Sequence, residues 1–311
     1  MARRALGPAS LAVVGALDAL PAAPWLVACS GGTDSLALAW AARLVGQRRG
    51  TPVRAVVVDH GLQDGSDRIA AAVSDALGLL DIAAVVHPVA VTVDGRGLEA
   101  AARDARHAAL VEALNPEETL LLGHTLDDQA ETVLLGLARG AGVRALAGMA
   151  SQRGRLRRPL LGLRRTVTAA ACAEQGLQPW QDPHNSDPAF ARVRVRTQVL
   201  PLLETELGPG IAEALARTAT LARADADALD ALAGVPADEP GCSYLAGLDP
   251  ALRSRQLRDW LRERGSRDVT SGHITAVDRL ITGWRGQAGV DVPGGRVLRV
   301  DGRLRWQPRS R

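Results

Sequence analysis

From Trp25 to Gly140 the chain alternates short apolar runs with helix-forming stretches, and this alternation restricts the fold more than any other feature. "WLVACS", "VRAVVVDHG", "IAAVVHPVAV" and "ETLLLGH" read as strands. Between and after them "SLALAWAARLVG", "DRIAAAVSDALGLL", the Ala-rich run from Leu98 to Leu114 and the segment from Asp127 to Leu137 read as helices. Strand–helix–strand repeats of this length build a parallel sheet with right-handed crossovers. Such sheets bind ligands at the carboxyl ends of their strands. Those ends carry the polar clusters: Ser30 to Ser35, then Asp59-His60-Gly61, then His124 with Asp127 and Asp128.

A length of 311 residues exceeds one ordinary domain. After Gly140 the texture turns basic and loop-rich, and from about Leu207 it becomes helical again, ending in "VLRVDGRLRWQ", a hairpin pattern around Asp301-Gly302. The expected division is therefore 1–206, an α/β domain with a connecting helix, and 207–311, a smaller, mainly helical domain closed by a β-hairpin. Hydrophobic residues make up 47% and aromatic ones 3%, so the core is chiefly Ala, Leu and Val, which suits helices packed on strands.

All 37 basic residues are arginine, which removes lysine as nucleophile, Schiff base or phosphate ligand. With a net charge of +3, any nucleic-acid face depends on local clustering. Cys29, Cys172 and Cys242 are odd in number and far apart, which argues against a disulfide framework, zinc site or cluster and fits a reducing, cytoplasmic setting. The N-terminal apolar stretch superficially resembles a signal peptide, but Asp18 interrupts it and cleavage near Ala23 would cut just before the first strand. No segment reaches the roughly 20 apolar residues of a membrane span.

Ser30-Gly31-Gly32-Thr33-Asp34-Ser35 lies between a strand and a helix. Its glycines allow backbone N–H groups to turn inward as an anion nest, and the following helix adds its positive end. Neither G-x-x-x-x-G-K-[ST] nor G-x-G-x-x-G is present. What remains, S-G-G-x-D-S, resembles the loop of the PP-loop ATP pyrophosphatases, which split ATP between its α- and β-phosphates. A plain capped turn is the alternative. An aspartate inside an anion site makes sense when a cation accompanies the phosphates, so Asp34 is expected to hold Mg²⁺.

Further motifs follow in order: Asp59-His60-Gly61-Leu62, "EAAARDAR" from Glu99 to Arg106, "HTLDDQAE" from His124 to Glu131, and Arg139-Gly140-Ala141-Gly142. Arg158-Pro159-Leu160-Leu161, "WQDPHNSD" from Trp180 to Asp187, and "RVRVRTQVLP" from Arg192 to Pro201 complete the series. Together they resemble the tRNA(Ile)-lysidine synthetases. The resemblance implies a parallel-sheet PP-loop (adenine nucleotide alpha hydrolase-like) α/β fold, with ATP as co-substrate and Mg²⁺. It also implies that the first anticodon cytidine of tRNA(Ile) with a CAU anticodon is adenylated, and that free L-lysine then displaces AMP to give lysidine. ATP is then expected at Ser30, Gly31, Gly32, Thr33, Asp34, Ser35, Asp59 and His60.

The residues suit that chemistry independently. Lysine's ammonium has a pKa of about 10.4, so roughly one part in a thousand is neutral near pH 7.4. The amine needs a base, or a carboxylate-lined site that positions it and accepts its proton. On a helix, Asp127 and Glu131 are four apart and Asp128 is three before Glu131, so the three acids can converge. An acidic helix N-terminus favoured by the macrodipole is the plainer reading. His124 either orients a phosphate or satisfies a strand-end hydrogen bond.

Glu99, Arg103 and His107 share one helical stripe, with Arg106 three from Arg103. Solvated pairing is the usual explanation. The resemblance instead places Arg103 and Arg106 near the α-phosphate, with Arg103 preferred, while His107 departs from the tyrosine expected there.

Two arginine sets, Arg153, Arg155, Arg157, Arg158 and Arg192, Arg194, Arg196, are the candidate tRNA-binding residues; a solvated charged face is the alternative. Trp180 either stacks on a base or is buried beside Pro179 and Pro183. Competing readings are a PP-loop tRNA thiolase, which needs suitably placed cysteines, a small-molecule ligase of the superfamily, and a non-catalytic ATP- or RNA-binding module.

Overall fold

The computed structural model describes residues 5–61, 65–91, 98–140, 142–182 and 187–309. Leu62, Ala141 and Pro183 to Ser186 of the motifs above, and the side chain of Glu99, lie outside the described residues.

The chain forms two compact units, Met1–Gly140 with Gly148–Ala219, and Ala141–Ala147 with Thr220–Arg311. The first contains a six-stranded sheet in the order β3-β2-β1-β4-β6-β5. Its strands are β1 (Trp25–Ala28), β2 (Val53–Asp59), β3 (Ala83–Pro88), β4 (Thr119–Leu122), β5 (Gln152–Arg153) and β6 (Leu156–Arg157). All pairings are parallel except β5 with β6. The chain steps outward from β1 to β3 and returns to lay β4 on the other side of β1, so the topological switch falls between β1 and β4.

Helices α1 (Pro8–Asp18), α2 (Thr33–Arg49), α3 (Ser66–Gly78), α4 (Leu98–Glu112), α5 (Leu126–Ala138) and α7 (Arg165–Gln175) belong to this unit, and α6 (Val143–Leu146) to the other. Strand β1 is buried on both faces. Trp25 and Val27 join a core with α1, α2, α3 and α7, while Leu26 and Ala28 join a second core with Leu110 of α4. That explains its uninterrupted apolar run. Each fully buried large side chain there contributes about 1.5–3 kcal/mol relative to exposure. The signal-like N-terminal stretch is α1, with Val13, Val14 and Leu17 in the same core.

"RVRVRTQVLP" differs from its alternating appearance, because α8 (Ala191–Arg194), a π-helical turn (Val195–Val199) and α9 (Leu200–Glu206) follow one another. Arg192 and Arg196 are therefore four apart on a helical surface and share a face. The unit boundary also differs from the expected residue 207. It falls at Ala219, within α10 (Ile211–Ala233), because Ile211, Ala212, Leu215 and Ala216 pack with Leu126, Ala130 and Leu200.

In the second unit α11 (Cys242–Ala246), α12 (Pro250–Glu263) and α13 (Ser271–Thr282) share a core with the antiparallel strands β7 (Val290–Val292), β8 (Gly295–Val300) and β9 (Arg303–Pro308). Fully buried Trp260 donates its indole N–H to Asp238 O at 2.8 Å. The β8–β9 turn takes positive φ at both Asp301 and Gly302, 50° and 71°, as the Asp-Gly pair suggests.

Candidate active site

The loop after β1 is held by its own hydroxyls. Ser35 Oγ accepts from the Ser30 N–H at 3.2 Å and donates to Gly32 O at 2.9 Å. Gly31 has φ +79°, and a Cβ there would lie 2.4 Å from Val73 Cγ2. Helix α2 has no side-chain cap at Gly32, and its first intrahelical bond runs from Leu36 N to Gly32 O. The N–H groups of Thr33, Asp34 and Ser35 precede that bond, which is the geometry of an anion site. Gly123, after β4, approaches so closely that a Cβ would lie 3.1 Å from the Asp34 carbonyl and Ser35 Cα. This contact brings His124 and α5 beside the loop.

On the β2 side of the loop lies a cavity of about 330 Å³. Val56, Val58, Ile69 and Leu110 supply apolar wall, and Ser30, Asp59, His60 and Arg106 supply polar groups. Asp59 Oδ1 accepts from the Gly61 N–H at 3.0 Å. Among the described residues His60 Nδ1 is buried without a hydrogen-bond partner. Burial, then Arg106, lower the His60 pKa, so its ring is neutral at physiological pH. Trp180 lines the cavity half-buried, and its backbone N–H donates to Gly31 O at 3.0 Å, strapping the loop. Of the two arginines weighed on α4, Arg106 lines this cavity, whereas Arg103 is exposed. Burial lowers the Arg106 pKa from its usual value.

The acids of "HTLDDQAE" gather on the β4 side. Asp128 Oδ2 accepts from both the N–H and the hydroxyl of Thr125, each at 2.8 Å, capping α5. Its Oδ1 accepts from Arg165 Nη2 at 2.8 Å. Burial opposes the Asp128 charge, but Arg165 and the Thr125 donors outweigh it and hold the carboxyl below its ordinary pKa. Glu131 is 0% exposed and accepts from Arg196 Nε at 2.7 Å and Arg165 Nη2 at 3.3 Å, with Arg192 Nε at 3.9 Å.

Asp127 faces another way. Its Oδ2 accepts from the Arg165 backbone N–H at 2.7 Å, and its Oδ1 from Arg164 Nε at 3.1 Å. It thus caps α7 from outside while Arg164 also holds Glu213 at 2.6 Å. The expected convergence of three acids is met by Asp128 and Glu131 only.

Asp34 turns toward the same arginine. Thr168 donates its hydroxyl to Oδ1, and Arg165 Nε lies 3.4 Å from Oδ2. Burial raises the Asp34 pKa, against the pull of Thr168 and Arg165. His124 is neutral, its pKa lowered to about 4 chiefly by burial. Nδ1 accepts from Arg158 Nε at 3.2 Å, which places the ring proton on Nε2.

The seven arginines expected at tRNA divide. Arg196 and Arg192 face the buried acids, and Arg158 holds His124 and Ala150 O. Arg155 donates to Pro116 O at 2.8 Å, Arg157 to Leu156 O at 3.1 Å, and Arg194 to Pro188 O at 2.7 Å. Arg153 stands exposed on β5. Arg164, Arg165 and Thr168 are not singled out by the sequence. The available signal is an Arg-Arg pair opening a helix, where the macrodipole disfavours cations unless acids face them.

A nest ending a parallel strand at the switch point, beside an apolar-walled cleft, defines an ATP-using PP-loop enzyme. A PP-loop domain model matches residues 12–203, and a TilS substrate binding domain model matches residues 242–305. The tRNA(Ile)-lysidine synthase of Salinispora arenicola is 53% identical over 94% of this chain and 93% of its own length. That of Mycolicibacterium paratuberculosis is 55% identical over 90% and 89%. The chain belongs to the tRNA(Ile)-lysidine synthase family, whose members are ATP-dependent ligases that modify tRNA. Among solved structures, a U34-tRNA thiolase from Methanococcus maripaludis superposes with a TM-score of 0.53 at 20% identity, covering 69% of this chain and 78% of its own, a likeness of fold.

Proposed function

We propose that the chain adenylates the first anticodon cytidine of tRNA(Ile) with a CAU anticodon and transfers free L-lysine to it, releasing AMP and diphosphate. The observation that carries this reading is the pairing, at the adjacent ends of β1 and β4, of a phosphate nest with a buried acid pair that already binds guanidinium. A site that neutralises guanidinium with two carboxylates also suits an ammonium.

The adenine occupies the cavity between β1 and β2, against Val56, Val58 and Ile69. Neutral His60 offers its unpartnered Nδ1 there. The α2 N-terminus and the loop amides take the phosphates. Asp34 fits Mg²⁺ as a lone protein ligand, since its Oδ2 has only the long 3.4 Å approach of Arg165 among its hydrogen bonds within the described residues. Bound by Asp34 and phosphate oxygens, the ion would offset phosphate charge. Arg106, on the cavity wall, is placed to stabilise charge developing at the α-phosphate, a role better suited to it than to Arg103. Neutral His124, its Nδ1 held by Arg158, offers an Nε2 proton donor.

Asp128 and Glu131 receive the lysine side chain. The ammonium loses its proton to a carboxylate of that pair before the neutral nitrogen attacks the activated C2 carbon and AMP departs. Arg153 and the exposed side of the Arg155–Arg157 turn contact phosphates of the tRNA. The three free cysteines are buried, and burial raises the pKa of each, which suits the reducing cytoplasm and disfavours a thiolase reading.

The test incubates the protein with ATP, Mg²⁺, labelled lysine and a tRNA(Ile) transcript. Label should enter only the CAU transcript and not one with the cytidine replaced. Sulfur transfer or amide formation without lysine incorporation would refute the assignment.

A further inference from the structure

Among the described residues, the Arg165 side chain reaches both halves of the site. Its Nε lies 3.4 Å from Asp34 Oδ2 on the phosphate loop. Its Nη2 lies 2.8 Å from Asp128 Oδ1 and 3.3 Å from Glu131 Oε1 on α5. Asp34 and Asp128 project from the first turns of two helices that follow different strands, with Glu131 one turn further along the second, and among the described residues no backbone hydrogen bond joins those turns. The guanidinium is therefore the electrostatic bridge between them.

Around the acid pair the arginines already outnumber the carboxylates: Asp128 and Glu131 face Arg165, Arg192 and Arg196. An ammonium entering beside Asp128 and Glu131 would add a further positive charge to this half-buried set, and it would compete with Arg165 Nη2 for the same two oxygens. Either event disfavours binding while Arg165 stays in place. The anion that can draw Arg165 away arrives at the other end of the bridge. ATP phosphates on the α2 N-terminus add several negative charges beside Asp34, next to Arg165 Nε.

Resting on the reading of the loop as the ATP site and of the acid pair as the lysine site, we infer that Arg165 is a positioning residue that orders the two substrates. Without nucleotide it occupies the acid pair as a resident cation. With nucleotide bound it swings toward the phosphates and vacates Asp128 Oδ1 and Glu131 Oε1. The two sites are thereby coupled, and by linkage lysine must tighten nucleotide binding by the same factor by which nucleotide tightens lysine binding. Arg196 and Arg192 remain on Glu131, so the acid pair never loses all its partners.

The test is equilibrium binding of free L-lysine to the full chain, by titration calorimetry, with and without a non-hydrolysable ATP analogue. Wild-type protein should bind lysine at least about tenfold tighter with the analogue, within the usual range of coupling. Arg165→Gln should bind lysine equally well in both states, with an affinity near that of the nucleotide-bound wild type. Equal lysine affinity with and without the analogue in wild type overturns the inference, as does coupling that survives in Arg165→Gln. If thermal melting shows that Arg165→Gln does not fold, Arg165→Lys decides. It keeps a cation but lacks the fork that spans Asp34 and Asp128, so its coupling should fall severalfold; undiminished coupling overturns the inference. Labelled-lysine incorporation by wild type separates the two levels. Incorporation without coupling removes the role of Arg165 alone, and absence of both lysine binding and incorporation removes the functional reading beneath it.

Discussion

The two sides of the β1 terminus are built on opposite plans. Toward β2 there is an open cleft with apolar walls, a buried imidazole nitrogen without a partner among the described residues, and helix N–H groups with no intrahelical acceptor. Toward β4 the acids are enclosed and every one of them is matched by an arginine. On the proposed reading, a nucleotide enters the first side without rearrangement, whereas an amine entering the second displaces a cation.

The difference between the sides can be tested by breaking each. On the open side, Asp34→Ala should lower lysine incorporation by at least about a hundredfold, because the Mg²⁺ and phosphate positioning proposed for it would both be lost. Its melting temperature should fall by only a few degrees, since Thr168 and Arg165 lose one partner that burial already disfavours as an anion. On the closed side the balance reverses. Glu131→Ala should reduce unfolding free energy by about 3 kcal/mol in denaturant titration, because Arg196 and Arg165 lose their buried counter-charge. Gly31→Ala sharpens the view of the open side. A residue at φ +79° with Cβ 2.4 Å from Val73 Cγ2 must distort the nest, and ATP affinity should fall at least about tenfold.

Between the two sides, His124 supplies a pH signature. Its folded pKa of about 4 lies below the ordinary 6.5, so between those values the unfolded chain binds more protons than the folded one. Stability should thus fall as pH drops from 6.5 toward 4, and His124→Gln should flatten that slope in melts taken across the window. The smallest effect belongs to Arg153→Ala on exposed β5, which should leave stability within about 0.5 kcal/mol. It should weaken tRNA binding about equally for all sequences and reduce the salt dependence by about one charge.

The open side was legible in the sequence because it follows from local pattern. "WLVACSGGTDS" already contains a buried strand, two glycines and a helix start, and the sheet order adds only the neighbour strands. The acids of "HTLDDQAE" were legible too, but their partners were not. Arg165 lies 37 residues from Asp128 and 131 from Asp34, and no local period links such positions. Arg192 and Arg196 were visible as a basic run, yet alternation in the sequence concealed a helical surface that turns them onto Glu131. Asp127, equal to Asp128 by sequence, was separated from it only by the position of α7.

Separate duties for the two sides are tested most directly by Asp128→Asn, which keeps an acceptor able to cap α5 but removes the charge offered to an amine. Single-turnover diphosphate release from ATP and tRNA should be read beside labelled-lysine incorporation. Diphosphate release should stay within about threefold of wild type while incorporation falls at least about a hundredfold. Equal loss of both, or incorporation that persists, would contradict the division of the site at β1.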